Sequence, residues 1–145
     1  MIKAVLDTNV VISGLLWSGP PRKILEAADQ EHLFLFTSRA LLEELAYVLQ
    51  RPKFKRFLDR RGLDFRAALS QAVQLTRLIV PRTFSETFVE EDPSDDRVLE
   101  CVVTVAADVV VTGDEHLLAL KKFRNIPTLS PSAFLRMLKS GRPAR

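Results

Sequence analysis

Residues 1–13, MIKAVLDTNVVIS, hold the run that decides the fold. Ile2 to Leu6 reads as a buried strand, and Asp7, Thr8 and Asn9 read as the turn and helix start that follow it. An acid and an amide inside so short an apolar run exclude a secretory signal. Working outward, Leu33 to Phe36, Leu78 to Val80 and Val109 to Thr112 are apolar runs of the same kind, and a weaker one surrounds Ile126 and Thr128. Helical periodicity fills the gaps at 20–30, 39–50, 63–77, 95–107, 115–122 and 131–139, with Ser38 and Ser130 as start signals and Pro131 at a first helical position. Strand alternating with helix implies an α/β fold with a parallel sheet of four to five strands, covered on both faces.

The chain has 145 residues, 47% of them hydrophobic, enough for one compact domain with its own core. That domain is expected over 1–139, with residues 140–145 as a frayed tail after the last helix. No apolar run is long enough to span a bilayer, and the single Cys101 cannot form an internal disulfide, so no membrane partner and a cytoplasmic location are expected. The segment 51–77 is longer than one crossover helix needs and is expected to form a helical hairpin or arm projecting from the sheet.

Net charge is only +3, but the basic residues cluster. RPKFKRFLDRRG, residues 51–62, carries Arg51, Lys53, Lys55, Arg56, Arg60 and Arg61 with Phe54 and Phe57 between them, a pattern suited to phosphates and stacked bases of RNA. The alternative is a solvated helical face whose phenylalanines point into the core.

Ligands of open parallel sheets collect beyond the carboxyl ends of the strands, so acids placed there come first. Asp7 directly follows the first strand; its alternative reading is a helix N-cap. Asp114 repeats the arrangement after VVVT, where Gly113 lets the chain turn. Between them DPSDD, residues 92–96, precedes a helix apolar on almost every side; Asp92, Asp95 and Asp96 suit its positive end, and Asp96 shares the polar strip with Glu100 and Thr104. In the helix after Ser38, Glu44 borders the stripe of Leu41, Leu45 and Val48, while Glu43 lies opposite. A carboxylate at a core edge needs a partner, and with no basic residue on that face the choice lies between a metal and solvent.

Clustered carboxylates raise one another's pKa unless a cation neutralises them. All-oxygen ligands select hard ions, Mg²⁺ or Mn²⁺, which bind phosphate oxygens and acidify water, so the pattern points to phosphodiester hydrolysis. With only two histidines in the chain, a zinc site built on imidazole is not expected and His116 is read as a surface residue.

Taken together, LDTNVVISGL, SRALLEELAYVL, RPKF, DPSDDRVLEC and VVVTGDEHLLAL, in this order along nearly the whole chain, resemble the PIN-domain family. The resemblance implies a three-layer α/β/α sandwich, and it implies Asp7, Asp96 and Asp114 as metal ligands, with Glu44 acting directly or through water. It implies supporting roles for Asn9 and Thr112 and leaves open whether Asp95 or Asp92 assists Asp96. Glu100 stands where the family usually has a small residue, which alters packing or charge near Asp96. It further implies a homodimer, ribonuclease activity leaving a 5′-phosphate, and similarity to the VapC-like toxins that a small antitoxin protein holds inactive.

Three rivals compete with this reading. One is a binding module of the same fold without catalysis. Another is a haloacid-dehalogenase-like phosphatase, which needs an acid where this chain has Asn9. Nucleotide folds fail because the five glycines form neither G-x-G-x-x-G nor a P-loop.

Overall fold

The computed structural model describes residues 1–83 and 95–141. The first strand, β1 (Ile2–Leu6), runs into α1 (Thr8–Leu16) and α2 (Pro20–Asp29). Then come β2 (Leu33–Ser38), α3 (Arg39–Leu49), α4 (Pro52–Arg60), α5 (Phe65–Leu75) and β3 (Thr76–Ile79). The chain closes with α6 (Asp95–Val105), β4 (Val109–Val111), α7 (Glu115–Ala119), β5 (Lys122–Phe123), β6 (Ile126–Leu129) and α8 (Pro131–Ser140).

The strands form one sheet in the order β3-β2-β1-β4-β6-β5. Alternate residues of a strand face opposite sides, and here both sides are buried. Ala4, Leu6, Leu35, Val109 and Val111 pack with α1, α2, α3 and α8 on one side, whereas Val5 and Val110 pack with Val98, Cys101 and Val102 of α6 on the other. The result is a three-layer sandwich.

The sheet departs from expectation at both edges. It has six strands among the described residues rather than four to five, and it is mixed, because β5 pairs antiparallel with β6. β5 is two residues long, too short for any periodicity, and its turn is made by Arg124 and Asn125, both at positive φ (49° and 67°) without a glycine. At the other edge β3 begins at Thr76 and ends at Ile79, so Val80 lies past it, 92% exposed.

Residues 51–77 do not project. Phe54 and Leu58 of α4 and Ala68 and Ala72 of α5 are buried in the larger core cluster, with α4 lying against α3 and α5 against α1 and α3. At the carboxyl end of the chain α8 includes Ser140, and Gly141 closes it in the left-handed conformation (φ 67°), so helical order extends into the segment expected to fray. Residues 142–145 lie outside the described residues. Gly14 matters for packing between α1 and α2: a Cβ there would meet Leu25 Cδ1 at 2.6 Å and the Pro21 carbonyl at 3.0 Å.

Candidate active site

Because β1 and β4 are parallel neighbours, Asp7 and Asp114 emerge at the same, carboxyl end of the sheet. The backbone fixes this end firmly: Asp7 N–H donates to the Val111 carbonyl at 3.1 Å and Thr112 N–H to the Leu129 carbonyl at 2.9 Å. Asp7 is 5% exposed and does two jobs. Its Oδ1 accepts the Val10 N–H at 2.9 Å as the N-cap of α1, and its Oδ2 accepts the Thr112 hydroxyl. The N-cap expected as the alternative for Asp7 is thus present.

Thr112, fully buried, joins two acids. Its hydroxyl donates to Asp7 and accepts the Asp114 N–H at 2.9 Å. Asp114, half-buried, caps α7 by accepting the His116 N–H at 2.7 Å. Glu44, half-buried on α3, accepts the Thr8 hydroxyl at 2.8 Å. The sequence left Glu44 a choice between metal and solvent; its partner among the described residues is instead a neutral hydroxyl from the residue after Asp7.

Burial pushes the Asp7 carboxyl above the usual carboxylate range, and Asp114 and Glu44 push the same way against the Thr112 and Val10 hydrogen bonds. Asp96 is buried near the start of α6, at the carboxyl end of the sheet: α6 crosses back, Val98 sharing a cluster with Leu41 of α3, and Val105 accepting Lys3 Nζ at the amino end.

Other sequence expectations divide. Glu100 is 2% exposed and pairs with the half-exposed Arg97 at 2.6 Å, so the extra acid beside Asp96 is ion-paired. Burial, reinforced by Glu100, pushes the Cys101 thiol up to about 12 and leaves it a packing residue. Asn9 is exposed, and His116 is on the surface. Asp92 and the side chain of Asp95 lie outside the described residues.

The donors are hard oxygens, and the charge around Asp7 is negative, so in chemistry the set fits a divalent cation. As the side chains stand, no group of three or more His, Cys, Asp or Glu among the described residues is gathered closely enough to hold a metal ion. Each of Asp7, Glu44 and Asp114 is held by an internal donor instead, with acceptor capacity left over.

The basic helix lies elsewhere. Lys53, Lys55, Arg56, Arg60 and Arg61 are exposed, but Phe54 is buried, and Phe57 packs under Trp17 at 5.2 Å between ring centroids with Arg61 4.5 Å over it. Phe54 is thus unavailable for stacking on bases. Phe57 thus packs at the C-cap of the nine-residue α1, roughly 14 Å along that helix from the end that Asp7 caps. No helix among the described residues is long and apolar enough to cross a membrane.

Comparison with known proteins agrees with this architecture. A family model described as PIN domain matches residues 3–116. The chain is 32% identical over 123 residues to "Uncharacterized protein MJ1680" of Methanocaldococcus jannaschii, covering 83% of this chain and 76% of that protein. The crystal structure of PAE2754 from Pyrobaculum aerophilum shares the fold with a TM-score of 0.62, at 16% identity, over 96% of this chain and 98% of that one.

Proposed function

The chain belongs to the PIN domain family, and on that premise we propose that it is a metal-dependent endoribonuclease hydrolysing RNA phosphodiester bonds at Asp7, Glu44, Asp96 and Asp114. PIN domains are typically nucleases and generally use divalent metal ions. The observation that supports the reading is that Asp7, Glu44 and Asp114, from three separate elements, lie near enough at one end of the sheet for Asp114 and Glu44 to raise the Asp7 carboxyl, with the Thr112 hydroxyl joining the Asp7 carboxylate to the Asp114 amide and the Thr8 hydroxyl holding Glu44. Structural carboxylates rarely need such company, since each added acid makes the others harder to ionise.

In this reading Asp7, Asp96 and Asp114 hold Mg²⁺ or Mn²⁺, with Glu44 acting directly or through water. When bound, such an ion polarises a phosphoryl oxygen and lowers the pKa of a coordinated water. The chain's own contribution is placement. The Val10 and His116 amides fix one oxygen of Asp7 and of Asp114, Thr112 fixes the second oxygen of Asp7, and burial keeps bulk water away from it. The exposed cations of α4 suit the flanking backbone of a longer RNA rather than the bond being cut.

Purified protein offered a mixed single-stranded RNA in Mn²⁺, Mg²⁺ and EDTA tests this. Metal-dependent cutting that Asp96→Asn abolishes is expected; absence of both cutting and metal binding would favour a noncatalytic binding module. The proposed setting is a toxin of a toxin–antitoxin pair, a homodimer inhibited by a small protein. Growth arrest on expression, lost in Asp96→Asn, would support it.

A further inference from the structure

Thr8 has no assigned task, yet its hydroxyl donates to the Glu44 carboxylate at 2.8 Å. Its position explains how. As the first residue of α1 it follows the capping Asp7, and it lines with Leu6, Val11, Leu41 and Leu45 a small void between α1 and α3. It is 9% exposed, so its hydroxyl has little access to solvent and its stiff β-branched side chain has little freedom to turn. Glu44, by contrast, is a flexible glutamate at the border of the α3 apolar stripe, with solvent open to it on one side. Without a fixed donor, side-chain entropy and hydration would draw that carboxylate outward.

We propose that Thr8 is a positioning residue for Glu44: its hydroxyl, held rigid by burial, keeps the Glu44 carboxylate beside Asp7. The first two units of the α1 start then place two of the site's acids, Asp7 through its own side chain and Glu44 through Thr8. Thr112 does the corresponding work on the β4 side, where it joins Asp7 to the Asp114 amide. Partners behind the donor set tune a metal site by about 10–100-fold when removed. This inference rests on the metal-dependent reading above.

The experiment measures Mn²⁺ affinity by titration of the purified protein without RNA, for wild type, Thr8→Val, Thr8→Ser, Glu44→Gln, the Thr8→Val/Glu44→Gln double variant and Asp7→Asn. Thr8→Val, which keeps the shape and removes the hydroxyl, is expected to bind about 10-fold more weakly, and Thr8→Ser to bind as wild type. In the Glu44→Gln background the Thr8→Val loss is expected to disappear, because a residue acting through another has no effect once that other is gone. Thr8→Ala carries the same expectations if the valine does not fold. Unchanged affinity in Thr8→Val, no rescue by serine, or an undiminished loss in the Glu44→Gln background would overturn the role of Thr8 while leaving the nuclease reading intact. No Mn²⁺ binding by wild type would overturn both.

Discussion

The two ends of α1 solve opposite electrostatic problems in different ways. At its C-terminus the unpaired carbonyls of the last turn meet a cation: Arg22 Nε donates to the Gly14 and Trp17 carbonyls at 3.2 and 3.1 Å, and its Nη2 to the Leu15 carbonyl at 3.0 Å. The negative end of the helix is thereby answered from within the chain. At its N-terminus the capping Asp7 suits the positive end, but Asp114 and Glu44 add negative charge beside it and burial raises its carboxyl. One end is complete, and the other carries an excess that something from outside the chain would relieve.

The largest effect is expected where the cap is complete. Arg22→Ala leaves three carbonyls of a partly buried helix end without their charged donor, and is expected to destabilise by about 2–3 kcal/mol in urea unfolding, with no change in divalent-ion binding. A loss under 0.5 kcal/mol would mean that water caps the end equally well.

A smaller effect is expected from pH at the other end. The folded Asp7 carboxyl is raised above its unfolded value, so the protonated form favours the native state. That stability is fully present below the unfolded value and is lost as pH rises through the folded one. The advantage of Asp7→Asn over wild type in EDTA should therefore shrink as pH falls from neutrality into the carboxylate range; a constant difference would remove the buried charge as its cause.

The smallest effect on the fold is expected from the basic helix. Lys55, Arg56 and Arg60 are exposed, so replacing all three with alanine should change stability by less than about 0.5 kcal/mol. RNA binding should weaken, and the slope of log affinity against log salt should fall by about 2. An unchanged slope would leave α4 without a role in binding.

The sequence carries the sheet and the strand-end acids because both depend on short-range pattern. An acid directly after a buried run, as at Leu6–Asp7 and Thr112–Gly113–Asp114, can be located from the run alone. Long-range contacts are another matter. The Thr8–Glu44 bond joins residues 36 apart, and neither residue's surroundings signal the other. Phe54 and Phe57 sit among the same basic residues, yet one is buried and the other packs under Trp17, a difference set by where α1 ends. α5 passes into β3 without a turn, Thr76 bonding back to the Ala72 carbonyl, so the strand start gives no punctuation to read. The β5 turn uses Arg124 and Asn125 where a glycine would have announced it.

The central claim, that the acidic end of α1 awaits a cation, is tested most directly by thermal unfolding of wild type and Asp7→Asn at neutral pH, each in EDTA and in Mn²⁺. Asparagine keeps the cap and removes the buried charge. The account predicts that Asp7→Asn melts higher than wild type in EDTA, and that Mn²⁺ raises the wild type's melting temperature but not the variant's. A variant less stable than wild type in EDTA, together with a wild type that Mn²⁺ leaves unmoved, would contradict it.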